Sequence, residues 1–119
     1  MAEVQLGIIE SRFADMIWEM APVSTSELVK RAETEFSWKR TTTHTVIKRL
    51  CNKGLFENND GIVKSLITRE EFYSMQSIKF VEESFDGSLP AFVAAFSRGK
   101  KLSKKDADAI KRMIDESLG

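Results

Sequence analysis

Cysteine, histidine and proline are nearly missing from this 119-residue chain, which has one cysteine, one histidine and two prolines. A lone thiol, Cys51, cannot close an intramolecular disulfide, so the fold must rest on burial and suits a reducing compartment. The lone imidazole, His44, stands seven positions before it in one helical pattern. That spacing is about 10 Å along a helix axis, too far for a thiol–imidazole catalytic pair. No soft-ligand set for a metal can be assembled, and no other histidine exists for a Ser-His-Asp arrangement. Acid pairs such as Glu82-Glu83 fall on helical faces with no partner spacing for general acid–base work. These shortages predict a chain with no active site, no metal and no cofactor.

Net charge is missing as well. Eighteen Lys and Arg balance eighteen Asp and Glu, so bulk charge points neither to nucleic acid nor to a membrane; any attraction has to come from local clustering. No apolar run approaches membrane-spanning length, and the N-terminus lacks a basic, then apolar, then small-residue signal. The expectation is a cytoplasmic protein without membrane insertion. At 42% hydrophobic residues, a chain of this length can bury a core without disulfides or metal. It suits one domain, or a compact domain with a smaller helical appendage.

What the sequence does have is a cluster. From Trp38 to Gly54 the chain reads as one amphipathic helix in which Thr43, Ile47, Leu50 and Cys51 recur at helical spacing and face a core. Thr41, Thr42, Thr45, Lys48, Arg49 and Asn52 fall on the opposite side, and every formal charge between Trp38 and Phe56 is positive. Threonine is a poor helix filler, so four of them between positions 41 and 45 are costly unless the hydroxyls have work. A short cationic helix rich in hydroxyls suits a DNA major groove, with Lys39, Arg40, Lys48 and Arg49 placed for phosphates. The bland alternative is a solvated face on an ordinary core helix.

The flanks match that reading. A helical stripe of Ile9, Phe13, Met16, Ile17 and Met20 runs from Ile8 and stops at Ala21-Pro22, because proline disfavours helical geometry in the residue before it. Val23 is a candidate for a very short strand. Ser24 and Glu27 form a capping box for a helix to about Phe36, with Leu28, Val29, Ala32 and Phe36 inward. After Gly54, a natural helix stop, two apolar runs flank Asn58-Asn59-Asp60-Gly61, a strong hairpin signal that places Lys64 on the second strand as another phosphate contact. Three helices followed by a hairpin make a winged helix, the second and third forming its helix-turn-helix.

From Thr68 the pattern is helical to the end. Thr68 and Glu71 make another capping box, Phe72, Met75, Ile78 (or Phe80) and Val81 run towards Asp86-Gly87, and Pro90 sits where a helix start tolerates it. Ser103 caps a last helix with Ala107, Ile110, Met113, Ile114 and Leu118 as its stripe. Three short amphipathic helices cannot easily bury their faces alone, and a second copy would solve that. The expected fold is therefore mainly α with a small β-hairpin: a winged helix-turn-helix DNA-binding domain over residues 1–67 and a helical dimerisation domain over 68–119. Phe72, Val81, Phe92, Phe96, Ile110 and Ile114 are the expected interface. A winged-helix protein-interaction module that never binds DNA is the alternative. Trp18 and Trp38 are read as core aromatics, and the basic run from Arg98 to Lys105 as a solvated turn.

With these residues in place, the chain resembles the penicillinase-repressor family, which also contains copper-responsive repressors. The likeness runs through Leu6, Glu10, Phe13, Ile17 and Trp18; then Trp38, Thr42, Thr45, Ile47, Arg49-Leu50 and Lys53-Gly54; then Phe85-Asp86-Gly87-Ser88, Phe92-Val93-Ala94, Phe96 and Leu102-Ser103. The resemblance implies a homodimer of winged helices that binds an inverted-repeat, double-stranded DNA operator and blocks transcription. Residues aligned with family DNA contacts are Thr41, Thr42, His44 and Thr45. It also implies relief of repression by a membrane sensor protease cutting in the dimerisation region, here at Ala95-Phe96. The chain departs from the family pattern in four places. Ala95 stands where antibiotic-responsive members carry asparagine. His44 stands where an arginine is typical. The wing is shorter and poorer in cations. The cysteine cluster of the copper-responsive branch is missing, which counts against copper sensing.

Overall fold

A computed structural model of the chain describes residues 6–118; the outer ends of the two expected regions, residues 1–5 and 119, lie outside the described residues. The chain forms two compact units, one ending at Ser77 and the other beginning at Ile78.

In the first unit, α1 (Ile8–Met20) buries Phe13, Ala14, Met16 and Ile17. Ile9, expected in that stripe, is instead 43% exposed. The two-residue β1 (Val23–Ser24) leads into α2 (Thr25–Phe36). There Ser24 is the N-cap, its hydroxyl accepting the Glu27 N–H at 3.0 Å, which supplies one of the four amides a helix start leaves unpaired. The helix ends at Ser37 in the left-handed region, φ 57°. The next helix, α3 (Arg40–Asn52), buries Thr43, Val46, Ile47 and Leu50. The inward set expected for α3 is observed, with Cys51 half-buried and Val46 added.

The hairpin follows as β2 (Phe56–Asn59) and β3 (Ile62–Ser65), antiparallel with Glu57 opposite Lys64 and Asn59 opposite Ile62. Its two turn residues, Asp60 (φ 50°) and Gly61 (φ 84°), are both left-handed, the geometry of the turn whose twist matches paired strands. The Gly61 N–H donates to the Asn58 side-chain oxygen at 2.9 Å. β1 pairs with the other edge of β3, Val23 opposite Val63, giving the sheet order β1-β3-β2. The single-residue strand signal at Val23 is thus a real third strand, and the expected mainly α fold with a small β-hairpin, a winged helix with a helical tail, is the observed one.

Aromatic packing closes this unit. Phe13 meets Trp38 at 5.1 Å and Phe36 at 6.4 Å between ring centroids. Trp18 meets Phe56 at 5.1 Å and Phe72 at 5.4 Å, and its indole N–H donates to the Ile67 carbonyl at 3.0 Å. Both tryptophans are core aromatics. Phe72 lies in the first turn of α4 (Arg69–Phe85), which starts on a reciprocal capping box: the Glu71 N–H donates to the Thr68 hydroxyl and the Thr68 N–H to the Glu71 carboxylate. Nearby, Arg69 reaches Asp15 on α1, Nε to Oδ1 at 3.2 Å.

Phe72 corrects one expectation. It is 1% exposed inside the winged-helix core, so it has no surface left for a second copy, and the first turns of α4 pack with the unit before them.

The second unit holds the remaining turns of α4, α5 (Leu89–Gly99) and α6 (Lys104–Leu118). Ser88 caps α5 through the Ala91 N–H, and Ser103 caps α6 through the Asp106 N–H. Phe80, Phe85 and Phe92 form an edge-to-face cluster with centroids 5.6 to 6.0 Å apart. None of the described residues of this unit is fully buried.

Deleting the Phe72 ring leaves a cavity beside Trp18, so Phe72→Ala should lower unfolding stability by about 3 kcal/mol without changing the association state. Chemical denaturation and sedimentation of the same variant check both halves; an intact unfolding curve with a lost dimer would return Phe72 to the interface.

A cationic recognition helix as candidate nucleic-acid interface

The outer face of α3 follows directly from its inner one. With Thr43, Val46, Ile47 and Leu50 turned into the core, Thr41, Thr42, His44, Thr45, Lys48, Arg49 and Asn52 are exposed. Lys39 is the N-cap residue and Arg40 opens the helix, and both are exposed. No side chain caps this N-terminus and no acid stands in its first turn. Its amides and the positive end of the helix dipole therefore point outward beside two cations.

The threonines split into two kinds. The Thr43 hydroxyl is buried and donates to the Lys39 carbonyl at 3.4 Å. The exposed Thr45 hydroxyl donates to the Thr41 carbonyl at 2.9 Å and keeps acceptor lone pairs for a ligand. Part of the threonine cost expected from the sequence is thus met inside the helix. Thr41, Thr42 and Thr45 remain outward on one surface with His44.

Two expected phosphate contacts are already engaged. Arg49 Nη1 lies 2.7 Å from Glu10 Oε2, and Lys53 Nζ lies 3.6 Å from Glu10 Oε1. On the wing, Lys64 Nζ lies 3.3 Å from Glu57 Oε2, the residue opposite it in the strand register. Among the described residues, no carboxylate pairs with Lys39, Arg40 or Lys48. Sequence reading missed Glu10, an acid on another helix 39 positions from Arg49; nothing local signals such a pair.

Partial burial pushes the Glu10 carboxyl up. The Arg49 hydrogen bond, the charges of Lys53 and Arg49 and a bond from the Gly7 backbone outweigh it, leaving Glu10 below the ordinary glutamate range. Burial also pushes the Cys51 thiol up, against a backbone hydrogen bond at Asn58 and reinforced by the Glu57 charge. A thiol raised in this way is a poor nucleophile. No cluster of three His, Cys, Asp or Glu residues able to hold a metal occurs among the described residues, and none of their helices is long and apolar enough to cross a membrane.

A three-stranded winged helix with an exposed cationic, hydroxyl-rich third helix is the architecture of helix-turn-helix DNA readers. The Penicillinase repressor family profile matches residues 6–116, and the chain belongs to that family of repressors. The penicillinase repressor of Bacillus licheniformis is 22% identical over 116 residues, which cover 94% of this chain and 91% of that protein.

Because Glu10 titrates below its unfolded value, its contribution to stability is present above the unfolded pKa and is lost as pH falls through the folded one. Wild type should therefore melt above Glu10→Gln near pH ~7, with the gap narrowing as pH falls below the ordinary glutamate range. A gap that persists at acid pH would mean that the charge is not what holds α1 to α3.

Proposed function

We propose that the chain is a DNA-binding transcriptional repressor that works as a homodimer on an inverted-repeat operator. The observation that carries this reading is the exposed face of α3, where Lys39, Arg40, Thr41, Thr42, His44, Thr45 and Lys48 stand together with no acid among them. Thr41, Thr42, His44 and Thr45 reach base edges, where a hydroxyl can accept or donate and the threonine methyl can meet a thymine methyl. Lys39, Arg40 and Lys48 neutralise phosphates, which positions the helix without reading sequence. Arg49 and Lys64 join them only by breaking or sharing their pairs with Glu10 and Glu57.

On the α3 face of one copy only Lys39, Arg40 and Lys48 have no carboxylate partner among the described residues, and the wing tip of Asn58-Asn59-Asp60-Gly61 presents an acid to the backbone. Two copies on two half-sites double the phosphate contacts. The DNA-binding region is residues 1–67 and the dimerisation region begins at 68, with Phe72 serving the core of the first. Support for pairing comes from α5 and α6. Phe96, Ile110, Met113 and Ile114 stand 39% to 63% exposed, and they line or adjoin one apolar groove of about 400 Å³ with Phe92, Val93 and Leu102. An open apolar groove of this kind is a surface that a second copy could cover. Phe92 lines the groove, and Val81 on α4 is half-buried in the same unit.

Relief of repression by a membrane sensor protease is the finer part of the proposal. The Ala95-Phe96 bond lies inside α5, so a protease must first unwind that helix. A short helix with no fully buried residue unwinds at low cost.

Titration of fluorescent duplexes from the DNA flanking its own gene tests the reading. Binding should exceed that to a scrambled duplex, and Thr42→Ala should reduce the preference while sparing scrambled binding. Equal binding to both duplexes by wild type would favour a protein-interaction module instead. For the dimer, Ile110→Glu with Ile114→Glu should sediment as a monomer and lose at least tenfold in operator affinity; an unchanged dimer would contradict the packing.

A further inference from the structure

Glu10 sits in the first turn of α1, outside the recognition helix and the wing. Both of its carboxylate oxygens face cations at the C-terminal end of α3: Oε2 takes Arg49 at 2.7 Å and Oε1 lies 3.6 Å from Lys53, the residue that caps the helix. The carboxylate is tucked in, its side chain 17% exposed, and it also takes a hydrogen bond from the Gly7 backbone. Arg49 is 52% exposed. Its guanidinium therefore reaches the surface where phosphates would lie, yet it has an anion of its own chain bound to it.

We infer that Glu10 is a built-in competitor for DNA phosphate, withholding Arg49 so that the helix attracts any DNA sequence less strongly. This rests on the reading of α3 as the DNA-facing element. Between Trp38 and Phe56 the cations are Lys39, Arg40, Lys48, Arg49 and Lys53, and Glu10 takes up the last two. A phosphate that captures Arg49 has to displace Glu10 or share the guanidinium with it, and a displaced Glu10 keeps only the Lys53 cation close by. The gain from one more phosphate contact is offset by the loss of a short charge-assisted bond.

Phosphate attraction is common to operator and random DNA. Suppressing it lowers both affinities together and leaves occupancy dependent on the base contacts of Thr41, Thr42, His44 and Thr45 and on two copies binding at once. Of the remaining cations of the face, Lys39 and Arg40 lie at the start of α3 beside Thr41 and Thr42, whereas Lys48 stands next to Arg49 in its C-terminal half. The two held by Glu10, Arg49 and Lys53, lie at the C-terminal end of the helix.

The test is a salt series of binding titrations with wild type, Glu10→Gln and a control, Glu33→Gln, which removes an equal charge from an exposed site on α2. Glu10→Gln should bind operator and scrambled duplex more tightly by the same factor, about three- to tenfold at low salt, and steepen the salt dependence by about 1 per subunit. Glu33→Gln should change the slope by much less. In an Arg49→Gln background, Glu10→Gln should lose most of its gain. Should Glu10→Gln melt below the assay temperature, Glu10→Asp keeps the charge but draws the carboxylate back from Arg49, and the same tightening is expected. Weaker binding, an unchanged slope, or an equal effect of Glu33→Gln overturns the competitor. Absence of DNA binding by wild type and variants alike overturns the DNA-facing reading and the competitor with it, whereas binding by both with equal slopes overturns the competitor alone.

Discussion

Burial of one side of α3 is the constraint on which the rest of the structure depends. Thr43, Val46, Ile47 and Leu50 leave almost no surface to solvent, and exposing even one side chain of the Leu50 kind costs about 1.5–3 kcal/mol. Turning the helix by one residue about its axis would carry this stripe outward and the cations inward. The rotation of α3 is therefore set by its apolar side, and its outer face is whatever remains. Around it, Phe13 packs on Trp38 and Phe36, and Leu55 links back through its N–H to the Leu50 carbonyl. The same contacts that stabilise the unit aim Thr41, Thr42, His44, Thr45 and Lys48 at one side.

Those features were legible where they are local. Helix limits follow from periodicity and caps: α1 and α2 run as expected, and Ser24, Thr68, Ser88 and Ser103 each accept the amide three residues on. The hairpin follows from Asp60-Gly61, a pair that accepts left-handed backbone. Contacts between distant segments left no such trace. Phe72 carries the same helical spacing as a dimer-facing residue, and only its packing on Trp18, across more than fifty positions, shows it to be core. The Glu10–Arg49 pair and the Lys64–Glu57 pair likewise change what two cations can do, although a charge count along the chain sees only their signs. Of the proposed DNA face, the helix and its outward residues could be read from sequence; the state of its cations could not.

The two units solve different problems. The winged helix is self-sufficient, with three large aromatics and a run of aliphatics fully enclosed. The helices from Ile78 onward have apolar stripes but no enclosed residue among those described, so their faces gain most from a second chain. On the proposed reading, a recognition helix with three cations unpaired among the described residues and an acid-bearing wing tip would bind DNA weakly as a single copy. The proposed pairing through the C-terminal helices would serve both needs, covering apolar surface in one unit and doubling the contacts of the other.

The central claim is that the outer face of α3 is what meets DNA. Amide chemical shifts of the isotope-labelled protein, followed as duplex from its own promoter region is added, test this most directly. The account predicts the largest changes from Lys39 to Arg49, with smaller ones at the hairpin. Changes confined to α5 and α6, with α3 silent, would contradict it.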